Sequence, residues 1–186
     1  MKVADKKIVF TYDDLLEWED DHYRHELIDG DHFMTPSPNV YHQSISANLF
    51  WHLKKYVDER KLGIVLAAPA DIKLSDIDVL VPDIFYVKQE RADQVHGNYL
   101  TEAPALVVEI LSPSTAKRDR DIKYKRYAVY GVKEYWIVDP EKQTIETHDL
   151  EQQKLIRIFS KSEQLNSPTF PDLNLPLNKI FQAPLR

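Results

Sequence analysis

The run Ala105–Leu111, ALVVEIL, reads as a buried strand, yet it carries a carboxylate, Glu109, in its interior. An ionised carboxylate on a central strand is costly unless it is paired with a cation or ligates a metal. A second apolar stretch, DVLVPDIFYV, places Asp83 directly after Pro82. A lone Pro-Asp is usually a turn starter. Two carboxylates on neighbouring strands, however, can converge at one edge of a sheet. Hard oxygen ligands set together in this way suit Mg²⁺ or Mn²⁺, which keep several waters and need only one or two carboxylates. Lys123 follows Glu109, with Asp119 four residues before it and Tyr127 four after, so the three share a helix face. A lysine stem buried beside two carboxylates can hold or activate a water, or stabilise charge developing on a phosphate. Each residue also has a purely structural use. Glu109 can pair with an arginine or lysine and fix the packing, and Asp119 with Lys123 can form a solvated ion pair.

Two further residues join these candidates. Glu26 lies in a half-apolar strand, with Arg24 and Lys73 as candidate ion-pair partners. His42 falls on the same helix face as Ile45 and Leu49, which favours a buried, hydrogen-bonded histidine, with Gln43 to one side. His22 and His25 have a metal-like spacing but no evident third ligand. Lys117, Arg118, Arg120, Lys125 and Arg126 make a locally basic helix, diluted by Asp119 and Asp121, that can meet phosphates. No phosphate-cradling glycine loop and no Gly-x-Ser-x-Gly elbow is present.

The elements that must position these groups follow from the pattern. Thr11 with Asp14 forms a capping box for a short helix. Asp29-Gly30 joins a hairpin. From about Pro38 a long helix carries Ile45, Leu49, Leu53, Tyr56 and Val57 at three- and four-residue steps, with Gly63 just beyond its end. Strands are expected at GIVLAA, near Ile72 to Leu74, at DVLVPDIFYV with Pro82 marking a bulge or edge, and at ALVVEIL in the centre of the sheet. Lys88 to Ala103 is a polar loop, with Gly97 and Asn98 as turn residues. A helix capped at Ser114 or Thr115 runs to Gly131. EYWIVD, TIETHDL and KLIRIFS are strands, and the proline-rich FPDLNLPLNKIF packs across the body. The order predicts an α/β domain with a mixed sheet.

The chain of 186 residues favours one domain with a real core. Its formal net charge of −6 argues against a protein that coats nucleic acid nonspecifically. The absence of cysteine excludes disulfides, thiolate nucleophiles and Cys-type metal sites. MKVADKKIVF lacks the apolar run of a signal peptide, and no stretch approaches membrane-spanning length, so a cytoplasmic protein with no membrane partner is expected.

In order along the chain, RHELIDGDHFM, YHQSI, VPDIFYV and ALVVEILSPSTAKRDRDIKYKRYAVYGVKEYWIVDP resemble the Uma-two family. That family is named for restriction endonucleases and placed in the PD-(D/E)XK nuclease superfamily. The match runs from about Thr11 to Phe181, and the last block is long and specific. The resemblance implies a restriction-endonuclease-like fold, a mixed central sheet flanked by helices, across the whole of residues 1–186. Pro82-Asp83 stands as the PD motif and Glu109 as the acidic residue, the two holding Mg²⁺ or Mn²⁺. The chain departs from the superfamily at Leu111, where the motif has lysine. Lys123 is the candidate replacement, and Glu26 and His42 match positions of the family's pocket. The expected activity is metal-dependent hydrolysis of phosphodiesters in nucleic acid, DNA in the first place, with a homodimer left open. The alternatives are a non-catalytic binding or assembly module that keeps the fold, and a hydrolase of small phosphorylated molecules, which a deep closed pocket would mark.

Overall fold

The computed structural model describes residues 8–19, 21–97 and 99–182. Thr11 caps helix α1 (Tyr12–Leu16) with both halves of the expected box. Strands β1 (Arg24–Ile28) and β2 (Asp31–Thr35) form the predicted hairpin. Asp29 and Gly30 both take positive φ, 55° and 72°, as a two-residue turn matched to strand twist requires. Helix α2 (Val40–Arg60) buries all five residues of the predicted stripe together with His42. Its left-handed C-cap is Lys61 rather than Gly63. Gly63 instead opens the next strand, where a Cβ would stand 2.1 Å from the Val87 carbonyl oxygen.

The remaining strands are β3 (Gly63–Ala67), β4 (Asp71–Lys73), β5 (Val79–Leu80), β6 (Ile84–Lys88), β7 (Val95–His96), β8 (Tyr99–Leu100), β9 (Leu106–Ile110), β10 (Glu134–Asp139), β11 (Thr144–Asp149), β12 (Lys154–Ser160), β13 (Gln164–Leu165) and β14 (Leu175–Pro176). Between β9 and β10 run α3 (Ala116–Arg118), a π-helical turn (Asp119–Lys123) and α4 (Tyr124–Val129). Helix α5 (Leu177–Ile180) is the last element. The tail thus holds a short strand and a helical turn, packed on α2 and the central sheet through Phe170, Leu173 and Ile180. Of the predicted polar-loop turn, Gly97 takes φ 54°. Asn98 lies outside the described residues.

The central sheet has the order β12-β11-β10-β9-β6-β3, with β9 and β10 parallel and the other neighbours antiparallel. The side chains of β9 alternate between two cores, as the two-residue period of a strand dictates. Val108 and Ile110 pack with α2, whereas Val107 packs with α4 and the second sheet. Glu109 has the parity of Val107 and therefore faces that second side.

The expected mixed central sheet is present, and a second sheet, β2-β1-β5-β4-β8-β7, covers this face of it. DVLVPDIFYV is not one bulged strand. It divides at Val81-Pro82-Asp83 into β5 of the second sheet and β6 of the central one. Pro82 has no N–H to continue a ladder, and the flanking groups turn to side chains. The Val81 amide donates to Glu26 Oε1 at 2.9 Å, and the Val81 carbonyl accepts from Arg24 Nη1 at 3.3 Å.

Glu134 fixes the C-terminal segment. Buried in β10, it accepts from Trp136 Nε1 at 2.6 Å, the Ser167 hydroxyl at 2.8 Å and the Thr169 amide at 3.0 Å. Glu134→Ala strands these donors away from water and is expected to lower stability by about 3 kcal/mol. Urea denaturation checks this, and a loss under about 1 kcal/mol would dismiss the anchor.

Candidate active site

Antiparallel pairing of Ile84 with Val108 carries, one step further, to Asp83 opposite Glu109. Two neighbouring strands therefore deliver both carboxylates to one place, as their positions in the sequence suggested. Glu109 Oε1 accepts from Lys123 Nζ and from the Tyr127 hydroxyl, each at 2.9 Å. Lys123 Nζ also lies 2.6 Å from Glu26 Oε1 and 3.7 Å from Asp119 Oδ1. Asp119, Lys123 and Tyr127 are all buried, so the shared helix face looks inward, with a π-helical turn carrying the lysine. Such turns concentrate at functional sites. Leu111, which stands where the superfamily motif has lysine, packs into the core beneath the second sheet. The ammonium beside Glu109 and Glu26 is that of Lys123, on the helix.

Asp83 is held from three sides. Its Oδ2 accepts from the Ile110 amide at 2.8 Å, and its Oδ1 accepts from Arg24 Nη1 at 3.1 Å. His42 Nε2 lies 3.4 Å from Oδ2 and donates to the Ile110 carbonyl oxygen at 3.0 Å. A carbonyl only accepts, so Nε2 bears a hydrogen, and Nδ1 is buried without a hydrogen-bond partner. His42 is thus the buried, hydrogen-bonded histidine expected, and it stands beside Asp83.

Electrostatics separate the two acids. Burial pushes the Glu109 carboxyl up to about 8, opposed by Lys123 and assisted by Asp119, Asp83 and Glu26. Asp83 moves the other way: burial is outweighed by His42, Arg24 and the Ile110 amide, and its pKa falls. Burial opposes the charge on Lys123, but Glu109, Glu26 and Asp119 outweigh it and raise its pKa. Asp119 is raised by burial.

Asp83, Glu109, Lys123, Glu26 and His42 all line one cavity of about 220 Å³. Some expected partners differ. Glu26 pairs with neither Arg24 nor Lys73: Arg24 serves Asp83, and Lys73 lies 2.9 Å from Asp76. Arg118 Nη2 comes within 3.3 Å of Glu26 Oε2 and donates to Thr35 Oγ1 at 2.6 Å. Sequence reading did not single out Arg24 or Arg118 for the site. Within the basic helix, Arg120 binds Glu146 through two bonds of 2.7 and 2.8 Å and Arg126 binds Asp29 and Asp78, whereas Lys117 and Lys125 are exposed. His25 bonds Asp21 and His32 at 2.8 Å each and stacks on His32, so the His22–His25 spacing does not gather ligands.

Among the described residues no three His, Asp or Glu side chains form a metal cage by themselves. The donor set still fits a hard divalent ion. Both side-chain hydrogen bonds to Glu109 fall on Oε1, and Asp119 Oδ1 is a buried oxygen with no hydrogen-bond donor. Glu26 Oε2 faces Arg118, and each oxygen of Asp83 already accepts one bond and keeps its remaining lone pair for an ion. An ion that keeps its waters needs no more than one or two of these carboxylates.

A mixed sheet whose adjacent strands bring Asp83 and Glu109 together over a buried lysine is a restriction-endonuclease-like arrangement. The chain superposes on the crystal structure of a "putative nuclease belonging to DUF820" from Anabaena variabilis with a TM-score of 0.80. The two share 22% identity over 92% of this chain and 97% of the other, a likeness that establishes the fold. The Uma2 family model, described as "Putative restriction endonuclease", matches residues 12–178, and the chain belongs to that family. No curated protein matches it.

Proposed function

We propose that the protein is a Mg²⁺- or Mn²⁺-dependent nuclease that hydrolyses phosphodiester bonds in DNA. The observation that carries this reading is the single cavity in which Lys123 Nζ meets Glu26 and Glu109 at 2.6 and 2.9 Å while Asp83 lines the same wall. Asp83 and Glu109 would hold the ion. When bound, it polarises the phosphate and acidifies a water. Lys123, aimed by Glu26, orients the attacking water or meets the charge growing on the phosphate oxygens. His42 acts through Ile110 and Asp83 as a positioning residue. Arg24 and Arg118 place positive charge at the cavity for the phosphate group.

Among the described residues no helix is long and apolar enough to cross a membrane. Cleavage of plasmid and oligonucleotide substrates with Mg²⁺ and Mn²⁺ tests the reading. No cutting of any DNA or RNA by the wild-type protein would overturn it. One feature favours a second reading, a non-catalytic module: the Lys123 ammonium already neutralises part of the acidic cluster. Titration calorimetry separates the two, since the module predicts no binding of divalent ions near neutral pH.

A further inference from the structure

The reacting groups lie deep. Glu26 is 0% exposed, and Glu109, Asp119 and Lys123 are each 2% exposed. A cavity of about 220 Å³ leads to them, enough for a phosphate and a few waters at about 30 Å³ per water. A duplex carries its phosphates on a stiff rod that resists local bending. Lowering one of them into a recess forces its neighbours against the rim. An unpaired strand can make the same approach by rotating about a few backbone bonds.

The cavity also opens into a groove of about 510 Å³, the two sharing Arg24, Thr35, His42 and Asp83. One face of α2 contributes Gln43, Ser46, Ala47 and Phe50 to the groove, at the three- and four-residue steps of a helix. Small residues lie between an amide and an aromatic ring. Tyr23, 49% exposed, also lines the groove. Rings at two points of a groove beside a phosphate-sized recess are the parts of a stacking site for bases.

Charge points the same way. Among the described residues that line the groove, Arg24 is the one lysine or arginine. Arg120 and Arg126 are engaged by acids, which leaves Lys117 and Lys125 as the exposed cations of that helix, and the chain carries a net −6. Duplex binding driven by phosphate contacts needs many free cations, about 6–10 in the strongly salt-dependent cases. A single strand held by stacking needs far fewer: one or two phosphates can be met by Arg24 and Arg118, which line the cavity while also contacting Asp83 and Glu26.

We infer that the substrate is an unpaired strand, with a base in the groove against Phe50 and Tyr23 and the adjoining phosphate in the cavity. The inference rests on the nuclease reading for its chemistry but concerns which nucleic acid enters. The experiment uses one end-labelled DNA oligonucleotide, free and annealed to its complement. Cleavage is followed with Mn²⁺ and binding by fluorescence anisotropy with Ca²⁺. The free strand should be cut and bound about tenfold better than the duplex, and Phe50→Ala and Tyr23→Ala should each weaken its binding about tenfold, the effect of losing one stacked ring. Tyr23 is half-exposed, so its variant remains informative even if Phe50→Ala folds poorly.

Equal or faster cutting of the duplex would overturn the inference and leave the nuclease reading intact. Selective binding of the free strand that both variants weaken, without cutting of either form, would sustain the inference and sink the nuclease reading. Absence of both binding and cutting would overturn both.

Discussion

Lys123→Met is expected to cost about 3–5 kcal/mol of stability and to abolish cleavage. The methionine keeps the length of the stem but removes the ammonium that lies within 2.6, 2.9 and 3.7 Å of Glu26, Glu109 and Asp119. Three acids are then left buried, with Arg118 keeping its 3.3 Å contact with Glu26. The penalty is capped because the stranded carboxyls can take up protons, but each then gives up the charge the lysine had stabilised. A double variant, Lys123→Met with Glu109→Gln, removes charge on both sides and should recover part of the loss. Urea denaturation of the single and double variants measures the coupling directly. A single variant within about 1 kcal/mol of wild type would show that the ammonium is not the keystone of the cluster.

The second large effect should fall on activity with the fold left standing. Glu109→Gln preserves shape and the acceptor that Lys123 and Tyr127 use, while removing a carboxylate whose burial already disfavours its charge. Stability is expected to stay within about 1 kcal/mol of wild type. Cleavage should drop by about a hundredfold or more, the usual effect of deleting one electrostatic contributor to a transition state. Undiminished cutting by a well-folded Glu109→Gln protein would remove Glu109 from the chemistry. The contrast with Lys123→Met is informative in itself, because a purely structural cluster would make both substitutions show in the fold and neither in turnover.

Glu109 was legible because burial makes a charge in an aliphatic strand anomalous, and Asp83 because its neighbouring strand was equally apolar. The inward face of Asp119, Lys123 and Tyr127 was legible from helical spacing. The hairpin at Asp29-Gly30 and the α2 stripe followed from local chemistry. What escaped was set by distance along the chain or by shortness. Arg24 reaches Asp83 across 59 residues, a pairing that no local period encodes. The second sheet draws on β4, β5, β7 and β8, strands of two or three residues that are too brief to show alternation. Arg118 was one of several cations on a charged helix, and only the packing of Phe33 and Thr35 beside it distinguishes it from Arg120. The π-helical turn has no signature in residue type at all.

The crossing at Val81-Pro82-Asp83 also bears on how the molecule comes apart. Its amide and carbonyl at Val81 are bound by Glu26 and Arg24, and the Asp83 side chain is bound by the Ile110 amide of the other sheet. The stitches that join the sheets are thus the residues of the cavity itself, and neither sheet can peel away without dismantling it. Hydrogen exchange should register this as a single cooperative unit, with the Val81 amide among the last to exchange although it belongs to no strand. Early exchange at Val81 would show instead that the sheets part at this seam before the rest unfolds. In a protein built this way, selection for the site and selection for the integrity of the fold act on the same few atoms.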